Sequence, residues 1–130
     1  MAQKEIEMIL TRQLASYLTM PIFIVDPVGN LVYYNEPAEA ILGRRFDETG
    51  EMPAAEWATI FTPADDAGNP IPRDQLPLII ALRDKKPAHK NFWITGLDKM
   101  PHFIEVTAFP LIGEAGRDIG ALAIFWDQKK

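Results

Sequence analysis

Four sets of side chains in this 130-residue chain have the types that do chemistry. Asp65 and Asp66 put two carboxylates in one loop. Calcium takes about six to eight oxygen ligands, and two adjacent carboxylates without further oxygens do not supply them, so the pair is read as loop solubility. His89 and His102 are the two histidines, and both fall near the ends of strand-like segments, where surface or capping roles are commoner than metal ligation. Glu105 and Tyr33 are a carboxylate and a phenol of the kind used in acid–base catalysis, but nothing in their spacing brings them together, and a working pair must converge. Trp57, Trp93 and Trp126 are the remaining candidates, as stacking platforms or as sheet surface buried on association.

The totals remove further classes. There is no cysteine, so disulfides, thiolate nucleophiles, zinc–cysteine sites, iron–sulfur clusters and cysteine-linked chromophores are all excluded. A formal net charge of −5 argues against nucleic acid, whose binding proteins concentrate positive charge on one face. The basic pairs Arg44–Arg45, Lys85–Lys86 and Lys129–Lys130 are short and scattered. No run approaches the ~18 apolar residues of a membrane span, and the first residues are too polar for a signal peptide. The expected setting is therefore the cytoplasm, with one domain stable without staples.

The elements that must position these residues follow from hydrophobic period and turn chemistry. Ile6, Leu10, Leu14 and Tyr17, widened by Ile9 and Leu18, predict an amphipathic helix over residues 3–19, stopped by Pro21. Residues 21–35 read as a β-hairpin around the turn formers Pro27, Gly29 and Asn30. A short helix follows, capped by Asn35 or Glu36, with Pro37 in its first turn and Gly43 as terminator. Residues 54–61 make about two helical turns around Trp57 and Ile60, and 62–72 is a loop rich in proline and glycine. Asp74 is expected to cap a better helix running to about Lys85. Residues 88–95, 102–111 and 119–126 read as strands. In the second of these Phe103, Glu105, Thr107 and Phe109 share one face, with Ile104, Val106 and Ala108 on the other.

The segments 22–25 and 119–126 are apolar on both faces, as central strands are, so they are expected to be neighbours in the middle of one sheet. The middle helices cover one face of that sheet. The N-terminal helix, or a partner, is expected to cover the other with its apolar stripe.

In this order the residues Ile24, Val25, Asp26, Gly29, Leu31, Asn35, Ala38, Ile41, Leu42 and Gly43 resemble the opening of the PAS domain family. Gly68 through Pro72, Leu76 through Leu78, and Ala81–Leu82 resemble the version found in bacterial sensor kinases. So do Phe103 through Thr107, Pro110–Leu111, Gly120 and Phe125 through Asp127. The resemblance spans residues 14–127 and implies an α+β PAS fold: a five-stranded antiparallel sheet of order 2-1-5-4-3, short helices on one face, and an N-terminal amphipathic helix. The expected division is 1–19 for that helix and 20–127 for the PAS domain. The family's Asp-x-Thr signature lacks its threonine here, since Asp127 is followed by Gln128-Lys129-Lys130. A stand-alone protein and a domain excised from a longer regulator both remain open.

The resemblance also implies a site between the sheet and the middle helices, lined by Phe61, Leu78, Leu82, Phe92, Ile94, Ile104, Val106 and Ile124. Such a lining suits a small apolar ligand, a fatty acid or aromatic metabolite, and serves equally as plain core. Haem is disfavoured because the longer helix has no histidine, a cysteine-adduct flavin is excluded, and a non-covalent flavin is disfavoured. The function implied is sensory signal transduction, without enzymatic activity, by binding a ligand or by relaying a conformational signal through dimerisation. The expected partners are a second copy, through residues 3–19 and the outer sheet face, and an effector domain or partner protein. Two other readings stand beside it: a ligand-free docking module, and a cone-shaped α+β enzyme of the ketosteroid-isomerase type.

Overall fold

The computed structural model describes residues 3–128, with side chains from Ile6 onward. Lys129 and Lys130 lie outside the described residues. The first helix, α1 (Gln3–Tyr17), ends four residues before the proline. Strands β1 (Ile22–Val25) and β2 (Leu31–Tyr34) then form the expected hairpin. Its turn is fastened by the Asp26 carboxylate, which accepts the Val28 and Asn30 N–H groups at 3.1 and 2.9 Å.

Helix α2 (Glu36–Leu42) begins behind Asn35 and closes on Gly43, whose φ of 80° is the left-handed conformation that glycine adopts without strain. Two short helices follow, α3 (Phe46–Thr49) and α4 (Ala54–Ile60). Helix α5 (Pro77–Asp84) departs from expectation at its start: Asp74 does not cap it. Arg73–Gln75 instead forms a 3₁₀ turn, and Leu76 stands at the cap position with an extended ψ of 140°. The cause is Pro77, because the residue before a proline is pushed out of the helical region, while proline itself suits the first helical position.

Strands β3 (Ala88–Thr95), β4 (Pro101–Ile112) and β5 (Asp118–Asp127) complete an antiparallel sheet of order β2-β1-β5-β4-β3. The two strands that are apolar on both faces are therefore neighbours, with Phe23 opposite Ala123 and Ile24 opposite Leu122. Gly120 makes this pairing possible. Its φ is 133°, and a Cβ there would lie 2.1 Å from the Val25 carbonyl oxygen, far inside contact distance.

Each sheet face carries its own core. On the inner face, β-strand residues such as Phe23, Tyr34, Ile104, Val106 and Phe125 pack with Trp57, Leu78 and Ala81 of the helices. Phe23 meets Trp57 edge-on at 5.2 Å between ring centroids. On the outer face Ile22, Ile24, Val32 and Leu122 pack with Ala15 and Met8 of α1.

α1 thus lies on the outer face, but turned the other way from expectation. Ile6, Ile9, Leu10, Leu14 and Tyr17 point to solvent, each more than half exposed. The docked side is made by Met8, Ala15 and polar groups. Arg12 stacks over the Tyr33 ring at 5.0 Å, and Glu7 pairs with Arg117 in the β4–β5 connection. The stripe was expected to cover the sheet. That role is filled instead by Met8, the small Ala15 and polar residues, and the stripe is left outward.

Candidate functional site

The inner face and the helices line a partly open cavity of about 80 Å³. Six of the expected residues line it: Phe61, Leu78, Phe92, Ile94, Ile104 and Val106. Leu82 and Ile124 do not. Leu82 is one turn further along α5 than Leu78 and leans toward Gly29, where its Cδ1 lies 3.7 Å from the place a Cβ would occupy. Ile124 sits opposite Ile22 on the outer face. Its neighbours Ala123 and Phe125 take the inner positions, because successive side chains of a strand alternate. Phe23, Leu42, Trp57 and Leu76 also contribute to the wall. β1 is apolar on both faces, so alternation gives no signal for Phe23; its register opposite Ala123 places it inward.

The wall is carbon throughout. Trp57 has the one polar side-chain atom among these residues, and its indole N–H is donated to the Gly29 carbonyl at 2.8 Å. A flavin ring edge carries donors and acceptors that need partners when buried, and haem iron needs an axial ligand such as imidazole. The residues present fit neither group. The volume also falls well below the ~300 Å³ at which pockets for drug-sized ligands begin.

The histidines lie away from this cavity. His89 sits between Thr107 and Glu105, with its ring nitrogens 2.9 and 3.1 Å from their oxygens. His102 is 2.8 Å from Asp127 at the exit of β5. Asp65 folds its own loop, accepting the Ala67 and Asn69 N–H groups, and Asp66 accepts the Trp93 indole N–H at 3.0 Å. No cluster of three or more potential metal ligands occurs among the described residues. Tyr33 and Glu105 both face outward but stand in different rows of the sheet, with Tyr33 across from Ile24 and Glu105 across from Trp126. Burial pushes the Tyr34 phenol above the usual tyrosine range. Its hydroxyl donates to the Arg44 carbonyl at 2.8 Å.

The polar centre of the molecule is Asn35, which is fully buried. Its side-chain oxygen accepts the Ile22 N–H at 2.9 Å and the Ala38 N–H at 3.3 Å. Its amide donates to the Ala15 and Met20 carbonyls, both at 2.9 Å. One side chain therefore caps α2, starts β1 and holds the last turn of α1. Sequence reasoning found only the cap, because the other three partners are backbone groups with no signature in the sequence.

The fold and its comparisons agree on class. The PAS fold family model matches residues 16–129, so the chain belongs to the PAS family, a family of sensory and signalling modules. Three solved structures show the same architecture. A PAS domain from Colwellia psychrerythraea matches with a TM-score of 0.64 at 18% identity, covering 94% of this chain and 97% of that one. The PAS domain of nitrogen regulation protein NR(II) from Vibrio parahaemolyticus gives 0.64 at 16%, covering 92% and 98%. The LOV protein of Rhodobacter sphaeroides gives 0.72 at 11%, covering 99% of this chain and 70% of that one. None of the curated proteins matches this chain. No helix among the described residues is long and apolar enough to cross a membrane.

Proposed function

We propose that this chain is a signalling module that relays a conformational signal through homodimerisation on α1, rather than one built around a resident cofactor. The observation that carries this reading is the outward stripe of Ile6, Ile9, Leu10, Leu14 and Tyr17 on a helix already docked by its opposite side. Exposed apolar patches of this kind mark association surfaces. A second copy is the occupant the stripe suits. A two-fold interface must be self-complementary, and these five side chains, with the neutral Gln13 among them, are apolar and free of charge. Two negatively charged chains can therefore meet there without like charges in register. The small carbon-walled cavity supports the same reading, since it gives a polar cofactor nothing to bond.

The test is sedimentation of the wild type against Leu10→Glu/Leu14→Glu. The wild type should sediment as a dimer at micromolar concentration. The variant should dissociate at least ~100-fold more readily, since each buried leucine contributes about 1.5–3 kcal/mol. Its circular dichroism should remain that of the folded domain, because both sites are exposed in the single chain. A wild type that remains monomeric, or a variant that dimerises equally well, overturns the reading.

A further inference from the structure

α1 is docked by an apolar surface too small to hold it alone. At about 100° per residue, the docked side (Glu7, Met8, Thr11, Arg12, Ala15) and the exposed stripe are centred roughly 160° apart on the helix. The larger apolar face is therefore the one that the sheet does not bury. A 15-residue helix is marginal in water without tertiary support. Its last turn has that support from Asn35. Its first turns have Met8, packed on the outer core, and the ion pair between Glu7 and Arg117.

The β4–β5 connection is shaped to receive that pair. Gly113 has an ordinary φ of −92°, so its backbone does not require glycine. A Cβ there would lie 2.8 Å from the Glu7 Oε2 and 2.6 Å from the Ile119 Cδ1, so the missing side chain clears the slot the Glu7 carboxylate occupies. The Gly113 N–H donates to the Arg117 carbonyl at 2.7 Å, which fixes the arginine's backbone across the turn. Both charged side chains are about two-thirds or more buried, more sheltered than the exposed pairs Arg45–Asp47 and Arg83–Asp84. The Arg117 Nε is also buried, with no hydrogen-bond partner among the described residues, so the pair has a second donor in reserve.

We propose that Glu7–Arg117 is the latch that sets the dimerisation competence of α1. Closed, it keeps the first turns helical on the sheet and holds Ile6, Ile9 and Leu10 in line with Leu14. Open, those turns leave the sheet, the stripe loses half its length, and the dimer weakens. The latch rests on the dimer reading given above.

The experiment combines sedimentation with amide hydrogen exchange on wild type, Glu7→Gln, Arg117→Gln and Arg117→Lys. The first two variants should weaken the dimer about tenfold and speed exchange over residues 6–12, while β1 and β5 exchange as in the wild type. Arg117→Lys keeps the charge and should recover most of both effects. Dimer strength and exchange that are unchanged in Glu7→Gln and Arg117→Gln overturn the latch, as does a lysine variant no better than the glutamine one. A monomeric wild type overturns the dimer reading and the latch with it, whereas a dimeric wild type whose glutamine variants are unchanged overturns the latch alone.

Discussion

Replacing Asn35 by alanine tests the junction on which the architecture turns. The substitution removes four hydrogen bonds, but they do not weigh equally. The Ala38 N–H keeps the Asn35 backbone carbonyl at 3.0 Å, and the Ala15 carbonyl keeps the Leu18 N–H at 3.2 Å. The Ile22 N–H and the Met20 carbonyl lose the side-chain partner. Met20 is exposed, so water can replace the amide at its carbonyl. The orphaned Ile22 N–H is buried and costs about 1–3 kcal/mol; with the weakened cap the loss is about 2–4 kcal/mol. That is a large share of the 5–15 kcal/mol typical of a folded domain. Urea denaturation should show the midpoint falling at unchanged slope. Hydrogen exchange should accelerate first at Ile22 and through the last turn of α1, ahead of β4. Asn35→Asp is the control. It keeps both acceptor bonds but sets a buried carboxylate against two carbonyl oxygens, and so should be at least as destabilising at neutral pH. An alanine variant within 1 kcal/mol of wild type, with α1 exchange unchanged, would refute the reasoning, because it would show that water or local relaxation satisfies the orphaned groups.

Two further outcomes are expected. Gly120→Ala should prevent stable folding or cost at least about 3 kcal/mol, measured by yield and denaturation, since its Cβ would meet the Val25 oxygen at 2.1 Å and its backbone stands at φ 133°; a variant as stable as wild type would mean that the β1–β5 register can shift. The 80 Å³ cavity should admit xenon but not benzene, whose known dry site is about 150 Å³. Methyl shifts of Ile104 and Val106 under xenon pressure, abolished by Ala123→Val, would show this, and no shift would mean that the cavity is closed to guests.

Much of the fold could be read from the sequence, and the failures have definite causes. The hairpin, the caps at Asn35 and Gly43 and the central pairing of β1 with β5 follow from turn chemistry and two-sided burial. In β4 one face is mixed, so alternation placed Ile104 and Val106 inward correctly. In β5 both faces are apolar, so alternation alone could not separate Ile124 from Phe125. The register of Phe23 against Ala123 decides it, and register is a property of two strands. The same limit applies to α1. Its hydrophobic stripe is plain in the sequence, but which side docks is decided by Ala15 fitting close, by a carbonyl held by Asn35, and by a carboxylate that Gly113 leaves room for. None of these is a hydrophobic signal. The four-residue α3 is too short for any period to register.

The positions that sequence patterning misses are also where the two cores meet. The Phe125 N–H donates to the Pro21 carbonyl at 3.0 Å. Pro21 is flanked by Met20 and Ile22, the two residues whose backbones Asn35 holds. Phe125 also forms part of the cavity wall on the inner face. The Phe125 backbone is thereby linked by a hydrogen bond to residues 20–22, and those through Asn35 to the Ala15 carbonyl of α1. Closely packed interiors transmit strain along links of this kind. The inner cavity wall and the exposed stripe are thus joined by a path whose members are one strand, one proline carbonyl and one buried amide. Asn35 is the only side chain in that path that spans both cores, so loosening it should uncouple α1 from the inner face before it unfolds either core.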